Sequence, residues 1–242
     1  MLLLFTALTK AEGRADFADK YWPELTAWAE YLEREGMDPV NQLSTDDFAG
    51  HLAHNANLSI KAILALDGYA TLAEKTGRAQ EGKKYHALSR EMAKRWFDLA
   101  TDGDHFRLAF DKPGTWSQKY NLVWDRILNL NVFPPSVAEA ESRFYKTRLH
   151  PFGLPLDNRS AYTKLDWEVW TATLADKRED FDAIIDTLEK FIHESPSRVP
   201  LTDWYWTTDG KQVGFQARSV VGGVYMPLLA RDQIWKKWSK HP

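Results

Sequence analysis

The sequence predicts an all-α protein made of stacked helical hairpins. Of its 242 residues, 44% are hydrophobic and 27% are charged, which is the balance of an ordinary soluble globular domain. Charge-rich amphipathic helices alternate along the chain with helices that are apolar nearly all round, and this alternation is typical of paired outer and inner helices. Two short segments that interrupt the alternation have the pattern of small β-strands.

The amphipathic helices are predicted to form the outer layer, because each has one charged face. They cover Asp16–Glu35, Arg78–Ala100, Val137–Leu149 and Lys177–Glu194. The first of them has an apolar stripe with helical spacing, formed by Tyr21, Leu25, Trp28 and Leu32. Pro23 lies near its start and is expected either to begin the main helix or to kink it.

The second kind of helix is predicted to form the inner layer, since a helix that is apolar on all sides is buried. These helices cover Met1–Lys10, Asn55–Thr76, Trp116–Leu130, Thr163–Ala175 and Phe215–Leu229. The last one contains Arg218 as its single formal charge and has Gly222-Gly223 near its middle. Each glycine costs about 1 kcal/mol relative to alanine in a helix, so close helix packing is expected there.

The interruptions are predicted as small β elements in rim loops. The segment Asp104–Phe110 alternates weakly, and Val199–Val213 is expected to form a β-hairpin with its tight turn at Asp209-Gly210. The alternation of helices gives four full hairpins and a fifth with a short outer helix near Asp232–Lys240. We therefore expect residues 1–242 to form a single helical domain within a longer multidomain protein. Its ring of hairpins is expected to be incomplete and either to stay open or to have its apolar edge covered by self-association.

Composition excludes several classes of function. A net charge of −3 and a pI of about 6.2 give no indication of a nucleic-acid or anionic-membrane partner. The absence of cysteine excludes disulfides and thiolate chemistry. The apolar start at Met1–Phe5 lacks the basic residues and cleavage site of a signal peptide, and no run reaches the roughly 20 residues of a membrane span. Motifs for nucleophilic serine and phosphoryl-transfer chemistry are also missing.

Candidate catalytic acids lie in or just after the long connections that lead into inner helices. These connections emerge at one end of a hairpin array, so their side chains are expected to share one pocket and to bind a small-molecule substrate. The candidate acids are Asp46, Asp47, Asp166 and Asp203. Asp166 and Asp203 each precede a tryptophan, whose apolar wall would raise a carboxyl pKa and suit it for general acid–base work. The alternative for each acid is helix capping or a buried salt bridge.

Further side chains in these regions are candidates for substrate binding. They are His51, Trp116, Lys119, Tyr120, Lys164, Trp167, Trp204 and Arg218. The three cations sit in segments otherwise poor in charge, so each is expected to face an acid or a bound anionic group, with a structural ion pair as the alternative. His51 and His54 have the spacing of a metal-binding pair, but no third ligand has a diagnostic spacing; we predict no metal and no cofactor.

Four strings within these segments resemble the C-terminal region of the fungal-type glutaminase A family, whose bacterial members have carried the description "domain of unknown function". The strings are STDDFAGHLAHN (Ser44–Asn55), AFDKPGTWSQKYN (Ala109–Asn121), GLPLD (Gly153–Asp157) and VGFQARSVVGG (Val213–Gly223). The resemblance implies an α/α-toroid of the six-hairpin type. It further implies that full-length relatives are secreted or periplasmic, carry an N-terminal β-rich domain, and hydrolyse the side-chain amide of glutamine. It assigns no catalytic residue.

Three functions follow from the residues and the resemblance. The first is glutaminase-type amide hydrolysis, with an aspartate activating water and a lysine or arginine holding the substrate carboxylate. The second is a glycoside hydrolase-like or carbohydrate-binding site, with paired acids and tryptophan platforms. The third is a non-catalytic accessory domain. A cation placed to bind an α-carboxylate, beside an acid placed to bind the α-amino group, would indicate an amino-acid site, whereas stacked aromatic faces without such a pair would indicate a sugar site.

Overall fold

The computed structural model of the protein describes residues 1–40 and 50–238 and is mostly helical. Its α-helices are α1 (Leu2–Glu12), α2 (Asp16–Lys20), α3 (Trp22–Glu35), α4 (Ala56–Lys75), α5 (Ala79–Ala100), α6 (Val123–Leu128), α7 (Pro135–Lys146), α8 (Leu165–Ala172), α9 (Arg178–Glu194), α10 (Met226–Leu229) and α11 (Asp232–Trp238). The strands are β1 (Thr101–Asp102), β2 (His105–Phe106), β3 (Tyr162–Lys164) and β4 (Trp204–Trp206), and 3-10 helices cover Tyr120–Leu122 and Ser219–Tyr225.

The inner helix α4 organises the first half of the molecule. Asn55 caps its start by accepting a hydrogen bond from the backbone N–H of Leu58 at 2.9 Å, as expected for an asparagine at this position. Most of its side chains are buried, because α1 and α3 pack against it on one side and the amphipathic α5 pairs with it as a hairpin. The predictions of a buried helix at Asn55–Thr76 and an outer helix at Arg78–Ala100 are confirmed.

The first amphipathic segment forms two helices. α2 ends at Lys20, and α3 begins at Trp22 with Pro23 in its first turn, where the missing proline N–H costs no helical hydrogen bond. Proline therefore starts the main helix and does not kink it. Leu25 and Ala29 of α3 are fully buried, whereas Trp28 of the predicted stripe is 41% exposed.

The two small sheets lie in connections between helices. β1 and β2 form an antiparallel pair close to the predicted Asp104–Phe110 segment. The hairpin predicted within Val199–Val213 is present, since Trp206 N–H donates to the Lys211 carbonyl at 2.8 Å. The sequence did not indicate that β3 would pair antiparallel with β4 on the other side. Thr163 and Lys164, the first two residues of the predicted Thr163–Ala175 helix, belong to strand β3, so α8 starts only at Leu165.

The predicted inner helix over Trp116–Leu130 is much shorter in the structure. Residues 116–119 form a connection in which Ser117 bridges to Asp157, and the α-helix runs only from Val123 to Leu128. Asn129 ends it with a left-handed φ of 57°. The segment is nevertheless largely buried, so the apolar pattern predicted its burial correctly and its conformation incorrectly.

The prediction of a buried α-helix over Phe215–Leu229 is wrong, both in its conformation and in its burial. Ser219–Tyr225 is a 3-10 helix with no buried residue, and α10 adds a single turn after it. Gly222-Gly223 explains the conformation, because glycine disfavours the α-helix by about 1 kcal/mol per residue. Pro227 lies in the first turn of α10, where it begins a new helix and does not continue the old one.

The described helices pack around one large hydrophobic core and three smaller ones, and they do not close into a barrel. The large core joins α1–α6, and the largest of the smaller cores joins α8, α9 and β4. This arrangement confirms the prediction of an all-α, six-hairpin type of fold with small rim strands. Within residues 1–40 and 50–238, no helix combines the length and apolarity needed to cross a membrane.

Candidate functional site

Asp203 lies at the centre of a buried ion cluster beside the β3–β4 sheet. Strand pairing sets Lys164 opposite Trp204, and the backbone N–H of Leu165 donates to the Asp203 carbonyl at 2.9 Å. Asp203 is fully buried, and its Oδ2 contacts the ammonium group of Lys164. Arg218 donates to both carboxylate oxygens, from Nε to Oδ1 at 3.1 Å and from Nη2 to Oδ2 at 2.5 Å. Both oxygens of this acid are therefore occupied by cations.

Asp166 lies in the first turn of α8, next to this cluster, and its bonding differs from that of Asp203. The side chain is buried, and its Oδ1 accepts no hydrogen bond from the described part of the chain. Burial raises the pKa of Asp166, and the positive charge of Lys164 opposes that rise. Burial also lowers the pKa of Lys164 to about 8. A carboxyl group with an uncommitted oxygen beside a desolvated lysine can exchange a proton with a ligand.

Aromatic side chains surround the four charged groups. The ring of Trp204 packs against Phe215 with a centroid distance of 5.2 Å, and Trp167 stacks on Tyr120 at 4.4 Å. The ammonium nitrogen of Lys164 lies 5.9 Å from the Trp167 ring centroid and 5.7 Å from that of Phe215. These rings exclude water and stabilise the cation through their π faces, which strengthens electrostatic interactions in the cluster.

The 3-10 helix Ser219–Tyr225 covers Asp166 from the solvent side. A Cβ atom added to Gly223 would lie 2.7 Å from Cβ of Asp166 and 2.9 Å from Nε1 of Trp170. Trp170 also donates from Nε1 to the carbonyl of Gly223 at 3.2 Å. Glycine is therefore required at position 223 by the close approach of the two backbones.

Glu168, which the sequence analysis did not single out, is a second buried acid on α8. Its Oε1 accepts from the Leu154 N–H at 2.5 Å, and its Oε2 accepts from the Tyr205 hydroxyl at 2.5 Å. Burial raises the pKa of Glu168 to about 8. A Cβ atom on Gly153, whose φ is 142°, would collide with this carboxyl group. A lone glutamate inside a predicted inner helix was the sequence signal that could have identified it.

Lys119 belongs to a separate cluster and does not join Asp166. Its ammonium group is fully buried and donates to the carbonyl oxygens of Phe106 and Ser117, both at 2.9 Å. Its nearest carboxylate oxygen is Oε2 of Glu141, at 3.9 Å. Burial lowers the pKa of Lys119 and raises that of Glu141. The structure thus buries Lys119 completely beside Glu141. This corresponds to the structural ion pair that the sequence allowed as the alternative to substrate binding.

The remaining candidates are scattered or lie outside the described residues. Trp116 packs with Phe144 in a hydrophobic cluster beside Lys119. His51 is exposed, and His54 shares a hydrogen bond of 2.7 Å with Asp38. The catalytic candidates Asp46 and Asp47 fall in the segment that the structure does not describe. Among residues 1–40 and 50–238, no group of three or more His, Cys, Asp or Glu side chains is arranged to hold a metal ion.

The structure therefore brings together part of the predicted set. Around Asp203 it assembles Tyr120, Lys164, Asp166, Trp167, Trp204 and Arg218, and it adds Trp170 and Phe215. These residues lie close together, whereas Lys119 and Trp116 lie in a separate cluster. The fold and the site define an open array of α-helical hairpins that holds a buried carboxylate–cation cluster next to a small sheet.

Comparison with known proteins identifies the family to which this array belongs. The model of the glutaminase A six helical-hairpin domain matches residues 1–228, and the chain belongs to this family. It is 34% identical over 236 residues to the Glutaminase A of Aspergillus oryzae, a match that covers 95% of the chain and 34% of the relative. It is 32% identical over 238 residues to a probable glutaminase of Arthroderma benhamiae, with coverage of 85% and 27%.

The matched relatives are considerably longer than this chain. The chain spans about a third of the length of the Aspergillus oryzae relative and about a quarter of that of the Arthroderma benhamiae relative. Their names indicate a glutaminase-related role for the domain.

Proposed function

We propose that this chain carries the amide-hydrolysing site of a glutaminase, with Asp166 as the general base. The observation that carries this proposal is the carboxyl group of Asp166, which is buried beside Lys164 and Arg218 and leaves Oδ1 without a hydrogen bond from the described residues. Buried polar atoms are almost always paired, and an unpaired oxygen on a buried acid beside two cations supports a role in binding a ligand. The names of the relatives agree with this chemistry.

Hydrolysis at this site needs few groups. Asp166 accepts a proton from water as the oxygen attacks the side-chain amide carbon of glutamine, and the carbonyl oxygen becomes an oxyanion. The positive charge of Lys164 stabilises that oxyanion. Asp166 then passes the proton to the amide nitrogen, the C–N bond breaks, and glutamate and ammonia leave. The exposed 3-10 helix Ser219–Tyr225 has to shift for substrate to reach Asp166, because Gly223 covers it.

Glycoside hydrolysis suits this cluster less well. That reaction uses two carboxyl groups that are each available to the sugar or to water. Asp203 is not available, since Arg218 donates to both of its oxygens. The cations beside Asp166 and Asp203 are the feature expected of an amino-acid site, so the amide hydrolase is favoured.

Replacing Asp166→Asn tests the proposal through ammonia release from L-glutamine. A general base typically raises the reaction rate on the order of 10²–10⁴-fold, so Asp166→Asn is expected to lower turnover by a similar factor. Because the pKa of Asp166 is raised, the base form appears only above that pKa, and wild-type activity should decline on acidification at a pH above the ordinary aspartate range. A raised pKa also means that ionised Asp166 disfavours the folded state at neutral pH. Asp166→Asn should therefore leave the melting temperature unchanged or higher at pH 7.

Asp125→Asn is the matched control. Asp125 also lies in the first turn of a helix and has a pKa raised by burial, but its carboxylate accepts hydrogen bonds from the backbone N–H groups of Val132 and Phe133. This variant should leave turnover per folded molecule unchanged. Full turnover in Asp166→Asn would overturn the proposal, as would an equal loss of turnover in both variants.

A further inference from the structure

We infer that Arg218 forms a subsite for the α-carboxylate of the substrate, so that the site takes free amino acids and discriminates against those whose α-carboxyl group is amidated. This inference rests on the proposed amide hydrolase function and names the substrate class of the same site. It depends on three features of Arg218: its exposure, the way it is held, and the charge of the cluster behind it.

Arg218 is the solvent-facing member of the cluster. Its side chain is 37% exposed, compared with 2% for Lys164 and 0% for Asp203. Nε and Nη2 are used on Asp203, whereas Nη1 donates to none of the residues in 1–40 and 50–238. A ligand that approaches from solvent therefore meets guanidinium N–H groups first, and these are suited to bind a carboxylate through charge-assisted hydrogen bonds.

The guanidinium group is held in one orientation by its surroundings. Its Cζ lies 4.1 Å from the centroid of the Phe215 ring, and Asp203 fixes its other edge. The preceding residue, Ala217, has a φ of 51°, a left-handed conformation that costs an L-residue other than glycine roughly 1–2 kcal/mol. The residues just before Arg218 are held by two hydrogen bonds, since Ala217 N–H donates to the Leu201 carbonyl at 2.9 Å and Thr202 Oγ1 donates to the Phe215 carbonyl at 2.5 Å. Local strain that the surroundings enforce is typical of a binding position.

The charge of the cluster favours a zwitterion. Lys164 and Arg218 share the single carboxylate of Asp203, so these three groups sum to +1, and ionised Asp166 brings the four to neutrality. An amino acid with a free α-carboxylate and an α-ammonium group leaves this sum unchanged. An amidated amino acid would add an uncompensated positive charge beside Arg218, which is repulsive in a site of low dielectric constant.

Calorimetric titration of L-glutamine and its α-carboxamide, L-glutaminamide, into the protein tests the inference. The wild type should bind L-glutamine at least about 10-fold more tightly, because one charge-assisted interaction at a partly exposed site is worth about 1.4 kcal/mol or more. Arg218→Gln should abolish this preference. Arg178→Gln should retain it, since Arg178 pairs with Asp182 on the exposed face of α9.

The outcomes separate this inference from the proposed function. If the wild type binds the two ligands equally, the inferred role of Arg218 is wrong, and no variant is needed to show it. A preference for L-glutamine that persists in Arg218→Gln would also contradict the inference. If Asp166→Asn keeps full turnover while the wild type still prefers L-glutamine, the catalytic role fails and the subsite stands. If Asp166→Asn loses turnover while both ligands bind equally, the catalytic role stands and the subsite fails.

Discussion

Two buried lysines, in segments with the same sequence pattern, have opposite environments in this protein. Lys119 donates to backbone carbonyl oxygens and lies in a cluster where its own side chain and that of Glu141 are completely buried. Lys164 contacts Asp203 in a cluster where Arg218 reaches solvent. A lysine in an apolar segment therefore indicates a buried partner. Whether another charged group of the same cluster reaches solvent decides whether a ligand can bind there.

The largest difference between the two clusters is expected in stability. Replacing Lys119→Met leaves Glu141 buried without its cation and should lower the free energy of unfolding by about 3–5 kcal/mol. Lys164→Met should cost less, about 1–3 kcal/mol, because Asp203 keeps both hydrogen bonds from Arg218. Urea denaturation of the two variants at pH 7 measures the difference. Equal losses would show that the Arg218 contacts do not compensate for the missing lysine and would remove the distinction between the clusters.

A second prediction separates the structural acid of α8 from the candidate base on the same helix. The folded-state pKa of Glu168 is raised from 4.5 to about 8, so between these values the folded protein holds a proton that the unfolded chain has lost. The free energy of unfolding should consequently fall as pH rises through this window, by up to about 1.4 kcal/mol per pH unit from this residue. Glutamine resembles the protonated acid, and Glu168→Gln should remove this contribution.

The matched control for that experiment is Glu189→Gln on the exposed face of α9. It should leave the pH dependence of unfolding as in the wild type. A Glu168→Gln profile that keeps the full slope would assign the pH dependence to other groups and would contradict a protonated Glu168 in the folded state.

The smallest expected effect concerns the strained backbone at Ala217, next to the cluster of Lys164, Asp203 and Arg218. Ala217→Gly removes the steric cost of a φ of 51° but gives the unfolded chain more freedom, so a net stabilisation below about 1 kcal/mol is expected. Binding of L-glutamine should weaken by a few-fold, because Arg218 is held less firmly. Thermal unfolding and calorimetry measure the two effects, and a destabilisation above about 1 kcal/mol would show that Ala217 is not strained.

Much of the helical fold was predictable because its cause is local. The apolar pattern of α4 and the cap at Asn55 lie within one segment, and the structure places both where the sequence indicates. The pattern failed at Phe215–Leu229, where apolar residues around Gly222-Gly223 form an exposed 3-10 helix. A hydrophobic pattern indicates which side chains would be stabilised by burial. It does not indicate how completely the neighbouring elements bury them.

The fold class, the order of most helices and the residue types available to build a site were all predictable from the sequence. It also placed Asp166 and Asp203 beside tryptophans and marked Lys164 and Arg218 as cations that need partners. The tertiary structure alone decided that β3 pairs with β4, which sets Lys164 against Asp203, and that Lys119 is sealed beside Glu141. The physical reason is that a charge acts on whatever lies within a few ångströms of it, and residues far apart in sequence become neighbours only through packing.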